Sequence, residues 1–280
     1  MINKIIAILI LVFIIILFVI YYHYQKNDND DNNDNNNNDN NNDNNIDQIY
    51  VINLKKRIER LDKFKNNYKL GYYYKIINAI DGNTLDKNYI NNITGTEGKR
   101  TLDNYYKYKI IRKYHYELSS YGAIGCYLSH IHTWKEIIKN NNQNALILED
   151  DAKVSNIKYN DLIKRLNSIP KDWDIYLLIN PDFCYKKDNV KNYRNLFKVK
   201  RFFLLHSYII NINACKKIIE NGNLFPINQQ IDHHLSELAL INKLNIYIHD
   251  KLPYYNTISY DSDIQINTSH TLSYERFKII

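Results

Sequence analysis

A short apolar run that ends in three carboxylates constrains this chain more than any other feature. Residues 145–148 read Ala-Leu-Ile-Leu, and Glu149, Asp150 and Asp151 follow directly. The run is too short for a helix and predicts a buried strand. In open α/β sheets the carboxyl ends of strands bind ligands, and adjacent carboxylates repel one another unless a cation lies between them. The triplet therefore predicts a Mg²⁺ or Mn²⁺ site, with a solvated acidic turn as the alternative.

The first 47 residues divide into an apolar and an acidic part. Residues 5–20 are uninterruptedly apolar and tyrosines follow them, which predicts a signal anchor over residues 1–26. A cleaved signal peptide is the alternative, but no small-residue cleavage site follows. Residues 27–47 are almost pure Asn and Asp and predict a disordered linker. We therefore expect a single-pass membrane protein whose domain at residues 48–280 is lumenal or extracytoplasmic.

The charge of the chain favours an anionic partner. The formal net charge is +7, and because the first 47 residues hold seven Asp against two Lys, the remainder is more basic than the whole. A basic domain suits a nucleotide, a nucleic acid or a membrane surface. No nucleic-acid module of basic and aromatic residues is recognisable, so we expect no nucleic-acid partner. The three cysteines lack metal-ligand spacing and predict small buried residues or free thiols.

Strand-like and helix-like segments alternate along the domain, which predicts an α/β fold with a largely parallel sheet. The predicted strands are 48–54, 73–80, 146–151, 173–179, 202–212 and 245–249, and the predicted helices are 55–67, 121–140, 161–168, 214–220 and 232–241. Residues 83–118 show no firm periodicity, and we expect a partly mobile insertion there.

Basic residues follow the first predicted strand. Asn53, Arg57 and Arg60 lie at its end or in the helix that follows. A strand, a basic turn and a helix N-terminus together make a phosphate site, while a solvated basic helix face is the alternative. Asp81 ends the second strand, where an acid often binds ribose hydroxyls. Asp81 can equally well cap the turn at Gly82.

The helix predicted over residues 121–140 has two glycines in its first turn. Gly125 permits a ligand or another backbone to come close. Ser129 lies on a different face from the apolar residues, whereas His130 projects nearer the apolar side. A packed, hydrogen-bonded His130 is at least as well supported as a catalytic one. Gly125, Ser129 and His130 are retained as candidate substrate-binding residues.

Four blocks in fixed order resemble glycosyltransferase family 25. The blocks are Tyr50-Val51-Ile52-Asn53-Leu54 with Arg57 and Arg60, Gly122-Ala123-Ile124-Gly125-Cys126-Tyr127-Leu128-Ser129-His130, Leu148-Glu149-Asp150-Asp151, and Ser207-Tyr208-Ile209-Ile210 followed by Ala214-Cys215-Lys216-Lys217. The family includes lipooligosaccharide and procollagen hydroxylysine galactosyltransferases. The resemblance covers about residues 48–250. It departs from the family pattern at Ile58, where many members have Pro, and between Asp81 and Tyr121, on the acceptor side.

The resemblance implies a GT-A-like fold that binds a nucleotide-sugar donor, a UDP-sugar, and transfers galactose or glucose to a hydroxyl group of a glycan or protein. Glu149-Asp150-Asp151 would replace the family's Asp-x-Asp metal motif. Asp151 would bind Mn²⁺ or Mg²⁺ directly, with Glu149 or Asp150 as the second ligand or on the ribose. The ion offsets the charge of the departing diphosphate. Arg57 and Arg60 could add to that compensation.

The resemblance also implies inversion at the anomeric carbon, which needs a base for the acceptor hydroxyl proton. Asp232 is the candidate, with a plain helix cap as its alternative role. His249 is predicted as a further metal ligand, and His234 competes for that role. The alternative function is a catalytically inactive relative that binds a glycan or nucleotide. A metal-dependent phosphohydrolase would need a second acid cluster, for which only Asp261 and Asp263 are candidates.

Overall fold

The structure, a computed structural model, describes residues 45–110, 112, 114–153, 158–250, 256–257 and 264. The predicted signal anchor and most of the predicted linker lie outside these residues, as do Asp261 and Asp263. None of the helices in the described part of the chain is long and apolar enough to span a membrane.

A mixed eight-stranded sheet forms the centre of the described domain. The strands are β1 (Gln48–Asn53), β2 (Tyr74–Asn78), β3 (Asn144–Glu149), β4 (Ala152–Lys153), β5 (Ile175–Leu177), β6 (Lys186–Asn189), β7 (Leu196–Arg201), β8 (Ser207–Asn211), β9 (Ile246–His249) and β10 (Asn256–Thr257). The order across the sheet is β2-β1-β3-β8-β5-β9-β7-β6, while β4 and β10 form a separate antiparallel pair.

The pairing of the strands corrects the prediction of a largely parallel sheet. β1 is parallel to β2 and β3, and β5 is parallel to β9. β8 lies antiparallel between β3 and β5, and β7 is antiparallel to β6 and β9. The strand predicted over residues 202–212 begins only at Ser207. The carboxyl ends of β1, β2 and β3 still meet at one edge of the sheet.

The helices pack on both faces of this sheet. They are α1 (Ile58–Asn67), α2 (Lys87–Ile93), α3 (Thr96–Tyr106), α4 (Tyr121–Lys139), α5 (Tyr159–Leu166), α6 (Ile212–Asn221) and α7 (Ile231–Leu240). Ile147 belongs to one apolar core with residues of α4, α6 and α7. Its neighbour Leu146 belongs to a second core with Phe64 of α1 and Leu162 of α5. Burial on both faces explains why the central strands are continuous apolar runs.

Residues 83–118 contain regular structure, which corrects the prediction of an insertion without assignable elements. α2 and α3 lie in this segment. Asp86 caps α2 by accepting a hydrogen bond from the Tyr89 backbone N–H at 2.9 Å. The helices escaped prediction because they bury few apolar side chains. Ile90 is the buried residue of α2, and α3 buries Leu102 beside two small residues.

α4 crosses the turn after β2 at very short range. A Cβ atom on Gly125 would lie 2.3 Å from the carbonyl oxygen of Ile80 and 2.6 Å from the backbone nitrogen of Gly82. Ser129 Oγ accepts a hydrogen bond from the Ile80 N–H (2.8 Å) and donates one to the Gly125 carbonyl (2.6 Å). Gly125 and Ser129 are both buried and fasten the helix to the turn. Their substrate contact remains a prediction that this packing does not support.

Because α4 crosses the turn so closely, Gly125→Ala should destabilise the protein, although Gly→Ala usually stabilises a helix. Ala normally stabilises a helix interior by about 0.5–1 kcal/mol relative to Gly. Here the added methyl group would collide with backbone atoms, so we expect the free energy of unfolding to fall by about 1–3 kcal/mol. Urea denaturation measures this change. For the control Lys135→Ala, at an exposed position of α4, the free energy of unfolding should stay within about 0.5 kcal/mol of that of the unaltered protein. A more stable Gly125→Ala protein would contradict the close crossing.

Candidate active site

The acidic triplet lies where β1 and β3 end side by side. Ile52 of β1 pairs with Glu149 of β3, and the Asp150 backbone N–H donates a hydrogen bond to the Ile52 carbonyl at 3.1 Å. On the other side, the Glu149 N–H donates to the His206 carbonyl at 2.8 Å. The backbone of the triplet is therefore held from both neighbours, and its three side chains point in different directions.

Asp150 is directed into the protein and is held by the first β–α turn. Its Oδ2 accepts a hydrogen bond from Asn53 Nδ2 at 2.6 Å, and its Oδ1 forms an ion pair with Arg60. Burial raises the pKa of the Asp150 carboxyl, whereas Arg60 and Asn53 lower it. The residue is 5% exposed. Because its oxygens are committed to these internal partners, the geometry does not support the predicted contact of Asp150 with substrate.

Arg60 occupies the inner face of α1, where the periodicity of the sequence predicts an apolar residue. Ile58 is 66% exposed, whereas Arg60 is 9% exposed. The Arg60 guanidinium contacts Asp150 and also lies 3.5 Å from Asp151 Oδ2. A buried carboxylate needs a cationic partner, so the charge pair outweighs the burial of Ile58. Arg60 and Asn53 are thus brought to the triplet, and their contact with a phosphate remains a prediction.

Arg57 and Asp81 lie at the outer side of the same turn. Arg57 is the N-cap residue of α1, and its Nη1 lies 3.3 Å from Glu59 Oε1. Asp81 accepts hydrogen bonds from Lys56 Nζ (2.5 Å) and from the backbone N–H of Asn83 (3.1 Å). Asp81 therefore caps its turn, which was one of the two roles considered for it. Its contact with ribose remains a prediction.

Asp151 is the member of the triplet with an uncommitted oxygen. Its Oδ1 is buried and has no hydrogen-bond partner within the described part of the chain, while Oδ2 faces Arg60. Burial and the charge of Glu149 raise the pKa of Asp151 to about 8, in spite of Arg60. A divalent cation would supply the missing partner and offset the repulsion. The carboxylate therefore fits the metal ion that the family resemblance implies.

Glu149 is oriented by a chain of buried side chains. Trp134 Nε1 donates a hydrogen bond to Tyr208 Oη (2.9 Å), which lies 2.9 Å from His130 Nδ1, and His130 Nε2 lies 3.4 Å from Glu149 Oε1. An indole only donates, so the Tyr208 hydroxyl accepts from Trp134, and an ionised Glu149 only accepts, so it takes the hydrogen of Nε2. In a neutral His130 the other nitrogen, Nδ1, then accepts the hydrogen of the Tyr208 hydroxyl. The proton of a neutral His130 is therefore on Nε2, directed at Glu149.

His130 itself is 1% exposed and is packed and hydrogen-bonded. It can act on a substrate only through Glu149, so the direct contact predicted for it finds no support. Cys126, His130 and Glu149 form the one group of potential metal ligands within the described residues, their ligand atoms lying within 4.8 Å of one another. Burial and the charge of Glu149 raise the pKa of the Cys126 thiol. A protonated thiol is a poor metal ligand. Cys126 and His130 therefore pack against Glu149 and hold its side chain in place.

Asp232 lies in the first turn of α7 and is buried. The N-cap residue of α7 is Gln230, so Asp232 is not the plain cap that was its alternative role. Its Oδ2 accepts a hydrogen bond from the Leu204 N–H (2.9 Å) and its Oδ1 accepts one from the His233 N–H (2.7 Å). His115 Nδ1 lies 3.8 Å from the same carboxylate. Asp232 thus ties α7 to the loop before β8.

Asp232 and the triplet act electrostatically on the same buried thiol, that of Cys126. The charges of Glu149, Asp232 and Asp151 all act on the thiol of Cys126 and help to raise its pKa, after burial as the largest cause. Electrostatic effects of this kind fade with distance and with exposure to water. The carboxylates of Asp232, Glu149 and Asp151 are therefore all close enough to Cys126 of α4 to act on its thiol.

His249 and His234 lie apart from the triplet. β8 and β5 separate β9, which ends at His249, from β3. His249 Nδ1 lies 2.8 Å from the Tyr176 hydroxyl, and His234 Nε2 lies 2.7 Å from the Gly222 carbonyl. Burial lowers the pKa of both imidazoles, that of His249 to about 4. Neither shares a ligand group with the triplet within the described residues, so their predicted metal binding finds no support here.

Comparisons with known proteins agree with this architecture. The family described as "Glycosyltransferase family 25 (LPS biosynthesis protein)" matches residues 46–235. Procollagen galactosyltransferase 2 of Homo sapiens is 27% identical over 194 residues, which cover 65% of this chain and 29% of that protein. A glycosyltransferase 25 family member of Aedes aegypti is 34% identical over 198 residues, which cover 66% of this chain and 30% of that protein.

The matched part is less than a third of the length of these relatives. The family match nevertheless includes every element that forms the site, from β1 and the basic turn through α4, the acidic triplet and β8 to the first turn of α7. It also spans well over half of the chain. The chain therefore belongs to glycosyltransferase family 25.

Proposed function

We propose that this protein is a metal-dependent glycosyltransferase that moves a sugar from a UDP-sugar to a hydroxyl group of a glycan or protein acceptor. Galactose or glucose is the favoured sugar, because relatives of this chain are named galactosyltransferases. The observation that carries the proposal is the buried oxygen of Asp151 next to Arg60, at the carboxyl edge of parallel strands, which has no hydrogen-bond partner among the residues that the structure describes. Paired positive and negative groups of this kind suit a metal-bound diphosphate.

The residues of the donor side have separate tasks. Asp151 and Glu149 would hold Mn²⁺ or Mg²⁺, which when bound supplies Lewis-acid stabilisation to the departing diphosphate. Arg60 adds a fixed positive charge beside Asp151. Asp150 and Asn53 keep that guanidinium in place. Arg57, at the N-terminus of α1, lies where an anion would benefit from the helix dipole.

Asp232 is proposed as the base that accepts the proton of the acceptor hydroxyl, with inversion at the anomeric carbon. Its position in the first turn of α7 and its electrostatic effect on Cys126, shared with the donor-side acids, support this role. We also propose that residues 1–26 anchor the protein in a membrane with the catalytic domain on the lumenal or extracytoplasmic side. That proposal rests on the apolar composition of residues 5–20.

Asp151→Asn keeps the shape of the side chain and removes its charge. Release of UDP from a UDP-sugar in the presence of Mn²⁺ should fall by at least about 100-fold, as for other losses of a charge-stabilising group. Chelation of metal ions by EDTA should abolish UDP release by the unaltered protein, and added Mn²⁺ should restore that release. The control Asp62→Asn, an exposed acid of α1, should retain activity. Donor binding without any release would instead favour a catalytically inactive binding protein.

The neighbouring aspartates should respond in opposite directions when stability is measured without divalent cations. Asp150→Asn leaves Arg60 buried and unbalanced, and we expect the free energy of unfolding to fall by about 3–5 kcal/mol. Asp151→Asn relieves repulsion and should leave stability unchanged or raised. Thermal unfolding of both variants in EDTA tests this contrast. Equal losses would mean that Asp150 and Asp151 are not divided between structure and metal binding.

Tyr208→Phe removes the hydroxyl that sets the tautomer of His130. ¹⁵N chemical shifts of His130 should show a change from the Nε2-protonated form, and kcat should fall about tenfold, as is typical when a partner of a metal ligand is lost. Tyr176→Phe is the matched control, because Tyr176 is equally buried and binds His249 outside the triplet. An unchanged tautomer together with an unchanged kcat would refute the orienting chain.

A further inference from the structure

A pocket of about 330 Å³ lies beside the candidate active site, within the segment that sequence analysis left unassigned. α3 forms one wall, and Ile110, Arg112, Tyr114, Glu117 and Ser119 form the other. The lining residues are Arg100, Thr101, Asn104, Tyr105, Ile110, Arg112, Tyr114, Glu117 and Ser119. Small-molecule sites occupy roughly 300–1,000 Å³, so this pocket suits a ligand the size of one sugar ring. Neither the donor-side residues nor the acidic triplet line it.

Arg112 is the residue of the pocket whose own contacts are incomplete. It is 6% exposed, and its Nε has no hydrogen-bond partner within the described part of the chain. One Nη atom donates a long hydrogen bond, 3.3 Å, to the His115 carbonyl. Burial lowers the pKa of the guanidinium, although the charges of Asp232 and Glu117 oppose this. A buried cation with so few partners is costly, and an anion in the pocket would lower that cost.

The rest of the lining suits a carbohydrate. Tyr105 and Tyr114 offer aromatic faces, and Asn104, Thr101 and Ser119 offer hydroxyl and amide groups. Aromatic rings pack against apolar faces of a ligand, while a few polar groups fix its orientation. Arg100 at the rim is paired with Glu97, and it is Arg112 that remains for a ligand anion. These walls match a ring with hydroxyl groups and one negative charge.

The pocket adjoins the acceptor side of the site. The charge of Asp232 acts on Arg112, and Asp232 also approaches His115, three residues further along the same wall. Gln230, the N-cap of α7, binds this wall through hydrogen bonds to the carbonyls of His115 (2.9 Å) and Glu117 (3.1 Å). A ligand held in the pocket would therefore lie next to the first turn of α7, which carries the proposed base.

We propose that this pocket binds the acceptor through an anionic sugar, a hexose ring that bears a carboxylate or a phosphate. The ring packs against Tyr105 and Tyr114, and the anion interacts with Arg112. The identification of this sugar as part of the acceptor rests on the proposed transferase function. The binding of the sugar itself does not, because the pocket contains none of the groups proposed to hold the donor or the metal.

The test is calorimetric titration of the full chain with glucuronic acid, glucose 6-phosphate, glucose and inorganic phosphate, in EDTA and without donor. We expect one or both anionic sugars to bind at least about tenfold more tightly than glucose and than phosphate alone, since charge-assisted hydrogen bonds to Arg are strong. The tighter of the two anionic sugars identifies the charged group. Equal binding of glucose, equal binding of inorganic phosphate, or no binding at all would overturn the proposal.

Variants locate the site. Arg112→Gln should lower the affinity for the anionic sugar about tenfold or more and leave the affinity for glucose unchanged. Because Arg112 is buried and its loss could unfold the protein, Asn104→Asp provides an independent variant that adds a negative charge to the pocket wall and keeps the side-chain shape. Asn104→Asp should lower the affinity for the anionic sugar. Asn88→Asp, the same change at an exposed position of α2, should not lower it. Unchanged binding in Asn104→Asp would contradict the assignment.

The transferase function and the sugar-binding pocket are refuted by different results. Asp151→Asn should bind the anionic sugar with unchanged affinity while losing UDP release. Sugar binding in a protein that never releases UDP would refute the transferase function and retain the pocket. UDP release by a protein that does not prefer the anionic sugar would retain the function and refute the pocket.

Discussion

The buried ion pair between Arg60 and Asp150 is the constraint on which the rest of the site depends. It joins the first turn of α1 to the residue after β3, and Asn53 at the end of β1 completes it. A buried pair contributes little net stability, but loss of one partner leaves an uncompensated charge. The pair is therefore best understood as a positional device. It fixes where the two neighbouring carboxylates, Glu149 and Asp151, can point.

Three adjacent acids consequently have three different environments. Asp150 is neutralised internally, Glu149 lies against Nε2 of His130, and Asp151 keeps an oxygen for which the described residues supply no hydrogen-bond partner. Three carboxylates that look alike in the sequence thus become an internally paired residue, a residue oriented by His130 and a half-buried residue with a free oxygen among the described contacts. Backbone pairing to β1 on one side and to the residue before β8 on the other makes this division possible, because it holds the triplet rigid.

The sequence was sufficient for the central strands and for the helices that bury an apolar face against them. β1, β3, α4 and α7 lie where apolar runs or helical periodicity predicted them, since burial leaves a pattern in the chain. β6 consists of Lys, Lys, Asp and Asn and carries no such pattern. β7 reads Leu-Phe-Lys-Val-Lys-Arg and buries only Leu196 and Val199, so its pattern of apolar and basic residues is too weak to predict a strand. The antiparallel direction of β8 has no local signal at all.

Within the site, residue types could be predicted but their partners could not. The acidic triplet and the basic turn were found because charged residues next to an apolar run are conspicuous. The helical spacing of Ile58, Leu61 and Phe64 indicates that Ile58 faces inward. Instead Asp150, directly after β3, draws Arg60 inside and Ile58 is exposed. The contacts of Tyr208 with Trp134 and His130 join positions more than 70 residues apart. Such contacts arise from the tertiary fold, so no local sequence pattern predicts them.

The antiparallel insertion of β8 also bears on how the molecule is assembled. β3 is an Ala-Leu-Ile-Leu strand whose second edge is covered only when residues 207–211 have been made and paired. Until then the growing chain exposes a flat, apolar strand edge, which is the usual template for aggregation. Pairing over so long a sequence separation is slow. The same pairing brings Tyr208 to His130, so one strand both covers the open edge of β3 and supplies the hydroxyl that orients Glu149 through His130.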